Sequence, residues 1–62
     1  MEENFSYKNP NGVVTEYRFK DGKFVGLLND GVKKDKDPLP IGTPLYKGLQ
    51  DNLAVAGFKK YQ

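Results

Sequence analysis

The sequence predicts a small α+β domain: a three-stranded antiparallel β-meander, at about residues 4–8, 13–20 and 23–29, backed by a C-terminal helix. Two turn motifs, NPNG at residues 9–12 and DG at residues 21–22, each join segments of alternating polarity, and a helical stripe of apolar residues follows near the end. At 62 residues the chain is too short for two cores, so we expect a single domain over residues 1–62.

The central strand is predicted at residues 13–20, where polarity alternates with a period of two. The DG dipeptide that follows suits a type I′ turn, because both central residues of that turn take positive φ. Such a turn fixes the register of the return strand at residues 23–29. The expected pairs are Lys20 with Lys23, Phe19 with Phe24, Arg18 with Val25, Tyr17 with Gly26, and Thr15 with Leu28.

The first strand is predicted from the upstream turn. NPNG suits a type I turn with Pro10 in its second position, followed by Gly12 in the left-handed conformation as a bulge. Folding back from this turn pairs Tyr7 with Thr15 and Phe5 with Tyr17. The two turns therefore agree on one apolar face, which would carry Phe5, Tyr7, Tyr17, Phe19, Phe24 and Leu28.

The last third of the chain allows two interpretations. A helix at about residues 44–56 would have Thr43 as N-cap, Pro44 in its first turn and Gly57 just after its end. Its buried stripe would be Leu45, Leu49, Leu53 and Ala56. The alternative places strands at residues 43–47 and 53–61, which would give a five-stranded SH3-like barrel.

The composition argues against an enzyme. The chain has no His and no Cys, so it lacks a Ser-His dyad, a thiol nucleophile and a disulfide framework. Ser6 has no neighbouring base, and a chain this short has little interior in which to raise the pKa of a carboxyl group. We therefore expect no catalytic residue and no cofactor. Without a long apolar stretch, and with acidic residues after Met1, we expect a cytoplasmic protein with no membrane segment.

A metal site is also not expected. Asp30, Asp35 and Asp37 could supply oxygen ligands, but the spacing lacks the glycine and the distal glutamate of a calcium-binding loop. Lysines alternate with these acids between residues 33 and 36. We interpret the segment as a loop that neutralises its own charge.

The opposite face of the meander is the candidate binding surface, and the alternative is an ordinary solvated face. Its proposed contact residues combine basic and apolar side chains, a mixture typical of protein interfaces: Arg18, Lys20, Lys23, Val25 and Leu27. A protein partner is the first hypothesis. Unpaired backbone groups along residues 4–8 and 23–29 would also allow two copies to pair as a homodimer through their sheet edges.

Nucleic acid is the alternative partner. A three-stranded sheet backed by a helix resembles, in architecture alone, the DNA-reading domains at the N-termini of some integrases. Phosphate contacts would then come from Arg18, Lys20, Lys23, Lys59 and Lys60. The net charge of +2 is small for sequence-independent binding to nucleic acid.

One segment resembles a known class. LPIGTPLY at residues 39–46 is similar to the L-P-x-G-T-x-L-Y segment that recurs in small accessory proteins of phages and prophages. In those proteins the segment looks extended. The resemblance implies a non-enzymatic protein that binds host proteins, including defence or nucleic-acid enzymes, and it supplies no site residues. Together these observations predict a binding module that inhibits or regulates a host protein.

Overall fold

The chain folds into one antiparallel sheet with a short helix on one side. The computed structural model describes residues 1–34 and 36–61. Within them, the elements are β1 (Glu2–Lys8), β2 (Val14–Lys20), β3 (Lys23–Asn29), β4 (Val32–Lys33), α1 (Lys47–Val55) and β5 (Lys59–Lys60). The strand order in this described part is β4-β3-β2-β1-β5. The predicted meander is present, and the sheet gains a short strand at each edge.

The turns explain both the predicted meander and the unpredicted fourth strand. Asp21 and Gly22 have φ of 52° and 79°, as the predicted type I′ turn requires. Asp30 and Gly31 repeat this conformation, with φ of 50° and 82°, and so build a further hairpin from β3 to β4. The predicted third strand ends at residue 29, just before this second DG dipeptide, and no strand is predicted directly after it because residues 33–37 are charged and lack a strand pattern.

The register is as predicted between β1 and β2 and for the two β2–β3 pairs next to the turn, Lys20 with Lys23 and Phe19 with Phe24. It is wrong along the rest of β3. Phe5 pairs with Tyr17 and Tyr7 with Thr15, as expected. Between β2 and β3 the ladder slips after Phe19, and Arg18 pairs with Gly26 instead of Val25. Val25 is the extra residue of a β-bulge, which reverses the facing of every later residue of β3. Leu27 therefore replaces Leu28 on the face that packs against the helix.

The core lies between this face, here called the core face, and α1. Its buried side chains are Phe5, Phe19, Phe24, Leu49 and Leu53, flanked by Tyr17, Leu27, Leu39, Leu45 and Phe58. The rings of Phe5 and Phe19 meet edge to face at 5.8 Å, and those of Phe19 and Phe24 at 5.5 Å. Burial raises the pKa of the Tyr17 phenol. Much of the large aromatic area is thus used to hold the domain together.

The helix begins later than predicted. Residues 42–45 run beside the start of β3 and pair with it: Phe24 N–H donates to the Thr43 carbonyl at 2.8 Å, and Gly42 N–H to the Phe24 carbonyl at 2.8 Å. Thr43 does not cap the helix, because its hydroxyl donates to the Pro40 carbonyl at 2.6 Å. Pro44 favours this outcome, since the residue before a proline prefers an extended backbone.

The C-terminal end of the helix follows the prediction. Phe58 N–H donates to the Leu53 carbonyl at 2.9 Å and Gly57 N–H to the Ala54 carbonyl at 3.0 Å, the two bonds of a Schellman motif. Gly57 has φ of 97°, and Phe58 then packs edge to face on Tyr17 at 5.1 Å. The barrel alternative is wrong: residues 47–55 are helical, and across the described chain β4 and β5 lie at opposite edges of the sheet.

Candidate binding surface

The face of the sheet opposite α1, here called the outer face, is organised in rows that cross the strands. Pairing of neighbouring strands places Glu2, Lys20 and Lys23 in one row, Tyr61, Asn4, Arg18 and Gly26 in the next, and Lys59, Ser6, Glu16, Leu28 and Lys33 in a third. Lys8 and Val14 continue the face beyond these rows. The arrangement follows from register alone, since alternate residues of a strand share a face.

The outer face carries more positive charge than the rest of the molecule. Its basic residues by register are Lys8, Arg18, Lys20, Lys23, Lys33 and Lys59, and its acidic residues are Glu2 and Glu16. Elsewhere in the described residues, basic and acidic groups meet directly, as in the Lys47–Asp51 pair at 3.0 Å. A net charge of only +2 for the whole chain therefore conceals a basic face.

The tip of the β2–β3 hairpin is basic, but its charge is partly neutralised. Lys20 and Lys23 face each other across the turn and are exposed. Glu2 lies opposite Lys20 on β1, and Asp21 accepts a hydrogen bond from the N-terminal ammonium of Met1 at 2.7 Å. That hydrogen bond lowers the pKa of Asp21. The tip thus carries Lys20 and Lys23 on the outer face, next to the ion pair between the Met1 ammonium and Asp21.

The structure places four of the five predicted contact residues where a partner can reach them. Arg18, Lys20 and Lys23 lie on the outer face, and Val25, at the bulge, is 44% exposed. The predicted position of Leu27 is wrong: this residue packs against the core, because the bulge turns it to the core face. Of the two apolar residues predicted to contact a partner beside Arg18, only Val25 at the bulge is therefore exposed.

Arg18 lies at the centre of a polar cluster that sequence reasoning missed. Its Nε lies 3.6 Å from Oε2 of Glu16, whose side chain is only 15% exposed. The Tyr61 hydroxyl donates a hydrogen bond to the same Glu16 oxygen. This hydrogen bond, together with some burial, raises the pKa of the Tyr61 phenol. The side chain of Tyr61 is thereby attached to the central strand β2.

Asn4 is the buried member of this cluster. It is 2% exposed, and neither its Oδ1 nor the buried Nε of Arg18 has a hydrogen-bond partner. The two residues are direct cross-strand neighbours. Tyr61 begins beyond β1, where its N–H donates to the Asn4 carbonyl at 3.0 Å, and its hydroxyl reaches Glu16 on β2. The Tyr61 side chain therefore extends from the edge of the sheet across β1 toward β2.

No sequence signal distinguishes Asn4 from an ordinary solvated residue. The alternation of β1 places it on the outer face, where a polar side chain is expected. Its neighbours in the sheet are Arg18 on β2 and Tyr61, which is distant in sequence. Only the tertiary structure brings these groups together.

Lys33 covers the bare strand position at Gly26. A Cβ atom on Gly26 would lie 2.8 Å from Cε of Lys33, so the lysine stem occupies the space beside Arg18. Its ammonium pairs with Asp37 at 2.8 Å, and Asp37 also accepts a hydrogen bond from Leu27 N–H at 3.2 Å. The hydrogen bond from Lys33 lowers the pKa of Asp37.

The predicted neutralised loop is seen in part. Asp37 pairs with a lysine, and Asp30 accepts a hydrogen bond from Val14 N–H at 2.9 Å. Asp35, the third acid of the rejected calcium cluster, lies outside the described residues. Among the residues that are described, no group of three or more potential ligands is arranged to hold a metal ion.

The expectation of unpaired sheet edges is wrong for most of both strands. β5 pairs with the middle of β1, while β4 and residues 42–45 pair with the two halves of β3. The new outer strands are short and contain lysines, and Pro44 has no N–H to donate, which are features that discourage edge-to-edge pairing. A homodimer through sheet edges, which stays untested, would have little free backbone in the described chain to use.

A cleft of about 500 Å³ opens beside β4 and is lined by Val32, Lys33, Lys34 and Lys36. It extends the basic character of the outer face toward the loop after β4.

In the described parts of the chain, no helix has the length and the apolar character needed to cross a membrane.

Fold and surface together define a small α+β domain with a basic sheet face opposite its helix. Comparison with protein-family models, with curated proteins and with solved structures finds no match to this chain.

Proposed function

We propose that this protein is a non-enzymatic binding module that docks its outer face on an acidic surface of a protein partner and thereby inhibits or regulates it. The observation that supports this most is the concentration of basic groups around Arg18 on the face opposite α1. The resemblance of residues 39–46 to phage accessory proteins adds that the partner is a host protein in the cytoplasm.

Arg18 has the properties of an interface centre. Its side chain is 40% exposed, and its ion pair with Glu16 is loose at 3.6 Å. Arginine is enriched among the residues that contribute most to protein interfaces, because its planar guanidinium binds carboxylates with two parallel hydrogen bonds. Lys20 and Lys23 would accelerate association with an acidic partner, and the exposed Val25 adds apolar contact.

A protein fits this face better than nucleic acid does. Glu16 lies in the third row, beside the row of Arg18, and a carboxylate there repels a phosphate backbone crossing the sheet. Most aromatic rings are in the core and unavailable for stacking on bases. The acidic side chains of a protein partner can be placed away from Glu16. The phosphates of a nucleic acid are evenly spaced, so some of them would lie close to this carboxylate.

Nucleic-acid binding remains the second candidate, favoured by one observation. The cleft lined by Lys33, Lys34 and Lys36 adjoins the outer face and extends its positive charge. Fluorescence polarisation with labelled duplex and single-stranded oligonucleotides at about 50 mM salt measures this directly. Binding that weakens steeply as salt rises would support this second function over the first.

The test of the proposed function compares charge reversals on two sides of the molecule. Arg18→Glu with Lys23→Glu reverses charge on the outer face, and Lys47→Glu reverses it on the exposed side of α1. Each tagged protein captures partners from a nuclease-treated lysate of the host, and captured proteins are quantified by mass spectrometry. Circular dichroism confirms that the variants are folded.

We expect the protein and the Lys47→Glu control to capture the same specific partner, and the double variant to lose it by tenfold or more. Purified partner then gives Kd by calorimetry and the effect on partner activity. Equal capture by the folded double variant would contradict the proposal that the outer face binds a protein.

A further inference from the structure

We propose that Asn4 and Arg18 form a recognition site for an amide group of the partner protein, with Tyr61 as its cover. This inference rests on the proposed function and specifies the chemistry that the outer face recognises. An amide presents a carbonyl acceptor and an N–H donor side by side. The site offers the complementary groups, since Arg18 Nε is a donor and Asn4 Oδ1 an acceptor, and neither makes a hydrogen bond in the folded chain.

The burial of Asn4 argues that the residue serves recognition. A buried polar atom without a hydrogen bond destabilises the fold, so such groups are rare in proteins. Among the described residues, Asn4 is the one buried polar side chain. Leucine has the same number of side-chain heavy atoms with the same branching, and it would remove the unpaired Oδ1 of Asn4. A residue that weakens the fold yet occupies a central position is typical of a functional site.

The position of Tyr61 explains how the site can be buried and still be used. Tyr61 follows β5, a strand of only two residues, and its ring is 51% exposed although it crosses β1. It is attached to the outer face by the hydrogen bond to Glu16 and by its N–H to the Asn4 carbonyl. Rotation of this one side chain would uncover Asn4 and Arg18 without disturbing the core, which lies on the other face.

A partner amide would enter as the ring leaves. Its carbonyl would accept from Arg18 Nε and its N–H would donate to Asn4 Oδ1, so both unpaired atoms become satisfied only in the complex. No covalent step is involved. Recognition of this kind discriminates strongly against groups that lack either the donor or the acceptor.

The first experiment separates recognition from structure with one substitution. Asn4→Leu removes the unpaired Oδ1 while keeping the number and branching of the side-chain heavy atoms, and Asn52→Leu makes the same change at an exposed position of α1. We expect the urea midpoint of Asn4→Leu to equal or exceed that of the unmodified protein, while partner affinity falls at least tenfold. Asn52→Leu should leave the affinity unchanged.

The second experiment uses small probes and needs no partner. Acetamide represents a side-chain carboxamide, N-methylacetamide a main-chain amide, and acetate an anion of similar size. NMR titration follows the Arg18 Nε–H and Asn4 side-chain signals. We expect saturable shifts with one or both amides, several-fold tighter in Tyr61→Ala, where the cover is gone, and lost in Asn4→Leu.

Several outcomes would overturn the proposal. One is full partner affinity in a folded Asn4→Leu protein, and another is the absence of saturable amide shifts in a folded Tyr61→Ala protein. A response to acetate as strong as that to acetamide would assign an anion site instead. Uridine, titrated in the same way as a nucleic-acid probe, would favour single-stranded nucleic acid if its response were stronger than that of the amides. If Arg18→Glu with Lys23→Glu abolishes capture but Asn4→Leu does not, the outer face binds a protein and only the amide site is wrong.

Discussion

The two faces of the sheet are built from opposite chemistry. On the core face, Phe19 and Phe24 are completely buried and pack ring against ring. On the outer face, Arg18 has only a loose ion pair, and Asn4 is buried with its side-chain oxygen Oδ1 unpaired. The comparison indicates that one face supplies the stability of the domain and that the other leaves interactions unsatisfied within the chain. In a small protein, such a division allows the outer face to be adapted to a partner without loss of the fold.

The largest expected effect comes from cutting into the core face. Phe19→Ala removes a completely buried ring and should destabilise the protein by about 3–5 kcal/mol. Since a domain of this length has a free energy of unfolding on the order of 3–9 kcal/mol, we expect the variant to be largely unfolded. Urea denaturation followed by circular dichroism measures the change.

The control for this experiment is Val55→Ala on α1, where the side chain is 90% exposed. It should change the free energy of unfolding by less than about 0.5 kcal/mol. A Phe19→Ala protein as stable as this control would contradict the assignment of stability to the core face.

A smaller effect is expected where the chain leaves the helix and returns to the core face. Gly57→Ala forces a positive φ of 97° on alanine and brings its Cβ to 3.1 Å from the Tyr7 ring. The unfavourable backbone conformation alone should cost about 1–2 kcal/mol. Gly12→Ala is the matched control, because it has φ of 87° but no atom within 4 Å of the added carbon.

The difference between these glycine variants isolates the contact with Tyr7. We expect Gly57→Ala to lower the thermal midpoint more than Gly12→Ala does, as measured by calorimetry. An equal loss would show that the Tyr7 ring moves aside freely and that the core face is less rigid there than its packing implies.

On the outer face, removal of a central side chain should affect binding far more than stability. Arg18→Ala deletes a partly exposed ion pair, and such pairs contribute less than about 1 kcal/mol. The free energy of unfolding should therefore change little, while partner affinity measured by calorimetry should fall at least tenfold. A loss of stability approaching that of Phe19→Ala would show that both faces support the fold.

The smallest expected effect is a dependence of the free energy of unfolding on pH, which arises from the carboxylate of Asp37 beside Lys33. The hydrogen bond from Lys33 holds the pKa of Asp37 below its usual 3.8, so the ionised form favours the folded state. This stabilisation is complete above the usual pKa and is lost as pH falls through the lowered folded value. Urea midpoints between pH 5 and about pH 2 should show a decline that is weaker in Lys33→Met than in the unmodified protein.

Much of the fold can be predicted from local signals. The DG and NPNG turns determine β1, β2 and β3, and Gly57 with Phe58 determines the end of α1, because each depends on a few adjacent residues. The start of the helix cannot be found in this way. Thr43 has the local signal of an N-cap, yet its backbone pairs with β3, a partner distant in sequence.

The binding surface is predicted less completely, for a related reason. Arg18, Lys20 and Lys23 follow from strand alternation, but Leu27 does not, since the bulge at Val25 has no sequence signature here. Asn4 and Tyr61 are brought together by the pairing of β5 with β1, which spans nearly the whole chain. A two-residue strand of lysines gives too weak a pattern to predict that pairing.

The bulge at Val25 has a consequence for the evolution of the chain. Val25 is the residue that the β2–β3 ladder omits, with Phe24 and Gly26 paired on either side of it. Deletion of its codon would leave Phe24 opposite Phe19, Gly26 opposite Arg18 and Leu27 opposite Tyr17, because the ladder already aligns these residues. Strand length can thus vary by one at this point while the core keeps its composition. Homologous genes are accordingly expected to tolerate an insertion or deletion of three nucleotides here, within a strand, where such changes usually destroy the register.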